Sequence, residues 1–141
     1  MAYLVKQKFN VADLARIPEK KNRVLIYGSD LYLCQLYASY LRLCRLETRH
    51  CASQDLVANV LSGFMPSLLL VDLDSLSYSG DSWLKNLNFN RDFPSLLIVT
   101  ISGNSDSKSV AKLMSAGVSS HINRKFSRPQ DVAEVVKVLL Q

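Results

Sequence analysis

A chain of 141 residues, 48% hydrophobic and 21% charged, is sized for one globular domain around its own core. No apolar run approaches the roughly 20 residues that span a bilayer, and "MAYLVKQKFN" has too short an apolar stretch for a signal peptide, so a soluble, cytoplasmic protein with no membrane partner is expected. The net charge of +5 sits mainly in the first 23 residues, where Lys6, Lys8, Arg16, Lys20, Lys21 and Arg23 face only Asp13 and Glu19.

Residues 1–22 read as a basic N-terminal extension. Asn10 can cap a short helix with Val11, Leu14 and Ile17 on one side, closed by Pro18. Such a piece can dock on the main domain or on a partner, bind nucleic acid or an acidic surface, or remain a solvated leader; the sequence leaves these open.

From residue 23 to residue 141 the chain alternates regularly and reads as one domain. "RVLIY" is a continuous apolar run of the kind found in strands covered on both faces. Ser29 or Asp30 can cap the next helix, where Leu33, Leu36, Tyr37, Tyr40 and Cys44 recur at three- and four-residue spacing. "LETRHCA" is a shorter, more polar strand suited to a sheet edge. Ser53 is the expected cap of "QDLVANVLS", and Gly63 its expected stop. "SLLLVDL" is the second buried strand and ends on Asp72; "DSLSYSG" is a loop and "DSWLKNLN" a short helix. "PSLLIVTI", started by Pro94, is the third buried strand. "KSVAKLMSA" is a helix closed by Gly117, "SSHIN" the last strand, and "DVAEVVKVLL" a helix with Pro129 in its first turn.

Five strands alternating with five helices across short links predict an α/β fold: a doubly wound parallel sheet with helices on both faces, joined by right-handed crossovers. Cys34 and Cys44 fall in the apolar helical pattern and read as small core residues. With Cys51 they show no C-x-x-C spacing, and neither His50 nor His121 stands at ligand spacing, so no zinc site is expected.

In such a sheet, functional groups gather beyond the C-terminal ends of the strands. Those ends carry Gly28, Ser29 and Asp30, then Asp72 and Asp74, then Thr100 and Ser102, then His121, Asn123, Arg124 and Lys125. An aspartate closing an apolar strand, with a hydroxyl and a cation on neighbouring strands, suits phosphoryl chemistry. The carboxylate would attack, the hydroxyl would bind the new group, and the cation would neutralise charge.

From about residue 23 to residue 140 the chain resembles the receiver domain of bacterial response regulators (CheY-like). The resemblance is carried by "VLIYGSD", "LLLVDL", "LLIVTIS" and "AGVSSHINRKF" in that order and spacing. It implies a five-stranded flavodoxin-like sheet in the order 2-1-3-4-5. It also implies that Asp72 stands where the family accepts phosphate from a histidine kinase, and that Thr100 stands where a hydroxyl contacts the phosphoryl group. A backbone carbonyl at Asp74 would meet the metal.

The chain departs from the family at several of these positions. The acidic pair that holds magnesium is Gly28 and Ser29 here, the lysine is Arg124, the proline after it is Lys125, the switch aromatic is His121, and Leu76 stands where a proline follows the acceptor. With only Asp72, and residual carboxylates at Asp30 and Asp74, no metal or other cofactor is expected, or at most weakly held magnesium. Arg124 is expected to pair bidentately with Asp72 as a permanent cation.

Ser29 and Asp30 are also good helix caps, Asp72 can cap the turn that follows it, and Thr100 and His121 are ordinary strand residues. The reading reached is therefore an atypical, pseudo-receiver module with no enzymatic activity. It would act independently of phosphorylation, through a protein partner or a homodimer, in signal transduction or transcription control. The expected contact surface is the fourth helix, fifth strand and fifth helix, with Lys108, Lys112, Met114, Arg128, Glu134 and Lys137. The alternative is a working phospho-acceptor modified at Asp72. The family often places a DNA-binding output module after the last helix, and Gln141 falls where a linker to one would start. Trp83 is expected near the acidic site. A nucleotide binder finds no support, since no glycine-rich phosphate loop is present.

Overall fold

The computed structural model describes residues 22–87 and 89–141. The short helix expected around Val11, Leu14 and Ile17 lies outside them. The strands are β1 (Arg23–Tyr27), β2 (Glu47–Cys51), β3 (Leu68–Asp72), β4 (Leu97–Ser102) and β5 (Ser120–Asn123). Between and after them run α1 (Leu31–Leu43), α2 (Val57–Phe64), α3 (Gly80–Leu87), α4 (Ser107–Ser115) and α5 (Pro129–Leu139). A single helical turn, Phe89–Asp92, precedes β4. All strand pairings are parallel, in the order β2-β1-β3-β4-β5. The doubly wound parallel sheet expected from the alternation is therefore what the chain forms.

The burial pattern explains the composition of each strand. β1 and β3 lie inside the sheet with both faces covered, so nearly every side chain is apolar and buried. β2 occupies one edge, and its sequence, Glu-Thr-Arg-His-Cys, buries only Cys51 fully. Alternate residues of each strand feed two separate cores. Val24, Ile26, Leu68, Leu70, Val99 and Ile101 pack beneath α1 and α5. Leu25, Tyr27, Leu69, Val71 and Ile98 pack beneath α2, α3 and α4. Burying a Leu or Ile side chain of this kind contributes about 1.5–3 kcal/mol, and these two cores are the main hold on the fold.

Four local expectations are corrected. Gly63 lies inside α2 and is not its stop; the helix ends where Met65 turns left-handed at φ 51°, its amide bonded to Leu61 O at 3.0 Å. A glycine two residues too early cannot supply that turn, so a residue with a Cβ adopts it, at some cost. Ser53 makes no side-chain cap; a turn of 3₁₀ helix, Gln54–Leu56, leads into α2 instead. Pro94 sits in the turn before β4, which begins at Leu97. Cys34 is buried as expected, whereas Cys44 is only half-buried at the end of α1. Elsewhere the capping reading matches: Asp30 accepts from Leu33 N–H at 3.0 Å, and Gly117, at φ 101°, follows α4. No helix among the described residues is long and apolar enough to cross a membrane.

Candidate functional site

The C-terminal ends of β1, β3, β4 and β5 lie side by side at one end of the sheet, with Asp72 at the centre. It is the last residue of β3 and is buried, a costly place for a carboxylate unless its oxygens are bonded. Each of them is. Oδ1 accepts from the Asp74 amide at 3.1 Å and from the Arg124 guanidinium, and Oδ2 accepts from the Ser75 hydroxyl at 3.1 Å. Ser75 in turn accepts from the Ser29 amide at 2.9 Å, and its hydroxyl lies 3.0 Å from that of Ser29. The end of β1 is thereby tied to the end of β3.

Arg124 begins the turn that follows β5. Its fork does not close bidentately on Asp72, as the sequence led us to expect, but divides: one nitrogen reaches Asp72 and the other Asp74. Asp74 Oδ2 also accepts from the Gly103 amide at 3.1 Å, and Oδ1 from the Ser102 hydroxyl at 3.3 Å. The division follows from position. Asp74 stands two residues beyond Asp72 in a 3₁₀ turn, which brings both carboxylates to face β5, and a planar guanidinium five donors wide can span them. Burial opposes the charge on Arg124, but the hydrogen bond and charge of Asp72, the Tyr37 hydroxyl and the charge of Asp74 outweigh it and hold its pKa above the ordinary arginine value. The guanidinium is therefore a fixed positive charge.

Thr100 does not bond to Asp72. Fully buried in β4, it pairs with His121 on β5, Oγ1 to Nδ1 at 2.7 Å. The other ring nitrogen, Nε2, lies 2.9 Å from the Ser105 hydroxyl. Because Ser105 can donate to Ser102 O at 3.4 Å, the consistent arrangement has His121 donating from Nε2 and accepting from Thr100 at Nδ1. Burial lowers the pKa of this imidazole, favouring the neutral form that the arrangement needs.

At the end of β1, Gly28 packs so closely that a Cβ there would stand 2.7 Å from Cys34 Sγ and 3.3 Å from Asp72 Cβ. His50 Nε2 donates to the Gly28 carbonyl at 2.7 Å, which assigns that tautomer. Asp30 caps α1. Burial, with Asp72 and Asp30 nearby, pushes the Cys34 thiol up to about 11. Trp83 lies outside the cluster. It is buried in the other core and stacks on Tyr27 at 5.7 Å, and the Tyr27 hydroxyl donates to Ser75 O at 2.9 Å, leaving one aromatic ring between the indole and the site.

The structure thus brings together Asp72, Asp74, Arg124, Ser29 and Gly28, and sets Thr100 and His121 as a separate pair. Sequence reasoning missed Ser75 and Ser105. Ser75 follows Asp72 by three residues, a spacing at which a hydroxyl in a tight turn can return to the carboxylate, and that was the available signal. Ser105, in the loop after β4, had none, since its partner His121 lies on β5, 16 residues on.

No protein-family model matches the chain, and no curated protein matches it. Solved structures do. A CheY-like response regulator receiver domain protein from Methanospirillum hungatei aligns with a TM-score of 0.73 at 18% identity, covering 84% of this chain and 93% of its own. The orphan response regulator HP1043 of H. pylori aligns with a TM-score of 0.77 at 14% identity, covering 88% of this chain and all of its own. The receiver domain of a LuxO repressor protein from Vibrio parahaemolyticus aligns at 0.70 and 17% identity, covering 85% and 87%. The chain shares the fold of response regulator receiver domains.

Proposed function

We propose that this chain is a receiver-like interaction module whose phospho-acceptor position is held permanently by an internal cation, and that it acts in signalling through protein contact. The observation that carries the reading is the Arg124 bridge between Asp72 and Asp74, with Ser75 on the remaining Asp72 oxygen. A carboxylate that attacks phosphorus needs a free oxygen and a cation to offset the charge on the transferring group. Here Asp72 Oδ1 is held by Arg124 and the Asp74 amide, Oδ2 carries the Ser75 hydroxyl, and the neighbouring cation is part of the chain.

Magnesium takes near-octahedral oxygen ligands and gives up its water reluctantly. The residues around Asp72 do not fit it. Gly28 offers no side chain, Ser29 bonds to Ser75, and Arg124 occupies the space between the two carboxylates. A carboxylate placed at residue 28 would first have to displace Cys34. On this reading the protein needs no cofactor and has no enzymatic activity, and a cytoplasmic location suits it. The surface of α4, β5 and α5 is the contact face we assign: Lys108, Lys112, Glu134 and Lys137 are exposed there with Met114, while Arg128 is drawn to Asp131 at 3.1 Å. Mixed charges of this kind suit a protein partner or a second copy.

The test is incubation with acetyl phosphate and magnesium, read by intact mass, beside magnesium and beryllofluoride titrations followed by Trp83 fluorescence, with Asp72→Asn as control. A folded protein that gains no phosphoryl mass and gives no saturable signal is the expected result. A phosphoryl adduct lost in Asp72→Asn would overturn the proposal and establish a working phospho-acceptor.

A further inference from the structure

The opposite end of the strands, where they begin, carries a groove of about 490 Å³. Met65 and Phe93 line it, with Leu97 from the start of β4 and Leu139 and Leu140 from the end of α5. Met65 is the left-handed residue after α2, and it is 74% exposed, so an unfavourable backbone conformation holds an apolar side chain at the groove with little cover.

The chain enters the described part of the molecule at the rim of this groove. Asn22 Nδ2 donates to Leu140 O at 3.3 Å, and the Arg23 carbonyl accepts from the Ser67 amide at 2.8 Å; Leu140 and Ser67 both line the groove. Immediately upstream stand Val11, Leu14 and Ile17, apolar at every third residue, followed by Lys20 and Lys21. Ile17 is five residues from Asn22, a separation that even fully extended chain holds within about 17 Å. Charge agrees with the placement, because Asp92 lines the groove and the carboxyl end of α5 adds partial negative charge beside a segment rich in lysine.

We propose that this groove is the docking site for the chain's own N-terminal segment, with Val11, Leu14 and Ile17 as the apolar residues that enter it. The tether makes the contact intramolecular and raises the effective concentration of the segment to about the millimolar range, so weak apolar contacts suffice to fill the groove. A partner that binds the segment must then compete with the groove, and its apparent affinity falls in proportion to the docked fraction. The groove and the Asp72 cluster lie at opposite ends of the strands, so this inference stands apart from the reading of that cluster.

The experiment uses the full chain with labelled Met, Ile and Leu methyl groups. We expect nuclear Overhauser contacts from Ile17 to Met65 or Leu140. We also expect shifts of the Met65, Leu139 and Leu140 methyls in a Leu14→Asp/Ile17→Asp variant that keeps its helical circular dichroism. Absence of both would overturn the proposal. Contacts seen only between differently labelled molecules in a mixed sample would also overturn it, assigning the groove to a second copy.

Discussion

Arg124 touches two carboxylates, one of them buried, so its removal should be felt more than the loss of an ordinary surface ion pair. Arg124→Ala leaves Asp72, 7% exposed at its side chain, without a cation, and should cost about 2–4 kcal/mol of stability in urea denaturation. The half-exposed Asp74 contributes less to that loss. Arg124→Lys keeps the charge but reaches one carboxylate at a time, and should cost about 1 kcal/mol in the same measurement. Residue identity made part of this legible. An apolar run ending in Asp72 announces a carboxylate at a strand end, and Arg124 announces a cation near it. How the guanidinium divides depends on the 3₁₀ turn that carries Asp74, and how Ser75 returns to Asp72 depends on the same turn. A turn of three residues leaves no periodicity to read.

The helix ends give a second set of expectations. After α1 the amide of Leu46 bonds to Leu41 O at 3.1 Å, and Arg45 takes the left-handed position at φ 64°. After α4 the equivalent bond runs from Val118 to Leu113 O at 3.2 Å, and Gly117 takes that position. The two ends share a geometry but not a residue. Arg45 is exposed, so Arg45→Gly should relieve the strain and raise stability by about 1 kcal/mol, read as a rise in thermal midpoint. At the start of α1, Asp30→Ala should lower stability by about 1 kcal/mol through loss of the bond to Leu33 N–H. Elements were the most legible level: the alternation of apolar runs and spaced helical faces located all five strands. Their ends were less so, because Gly63 offered a stop that tertiary packing did not use, and Met65 turned where no glycine stood.

Across the whole molecule, stability against pH follows from groups that burial has shifted. Unfolded Cys34 would lose its proton near 9.0 but retains it to about 11 in the fold. The native state therefore holds more protons in that window, and stability falls as pH rises through it, by roughly 2–3 kcal/mol. Tyr27 and Tyr37, also raised, extend the loss above pH 10. On the acid side the lowered His121 means the unfolded chain protonates first, so stability falls as pH drops below about 6.5. Denaturant midpoints from pH 5 to 11 should trace a plateau between these limbs, and Cys34→Ala should flatten the alkaline one. The sheet order has a different consequence, in folding kinetics. Since every pairing is parallel, no two strands join through a tight hairpin, and β1 can complete its ladder with β3 only after α1, β2 and α2 have been threaded past it. Until that long loop closes, "RVLIY" and "LLLVD" remain unpaired and apolar, and misassociation competes with folding most strongly in that interval. Once the sheet is complete those strands are interior, and the edge left on one side is the short, charged β2, a poor template for a further chain.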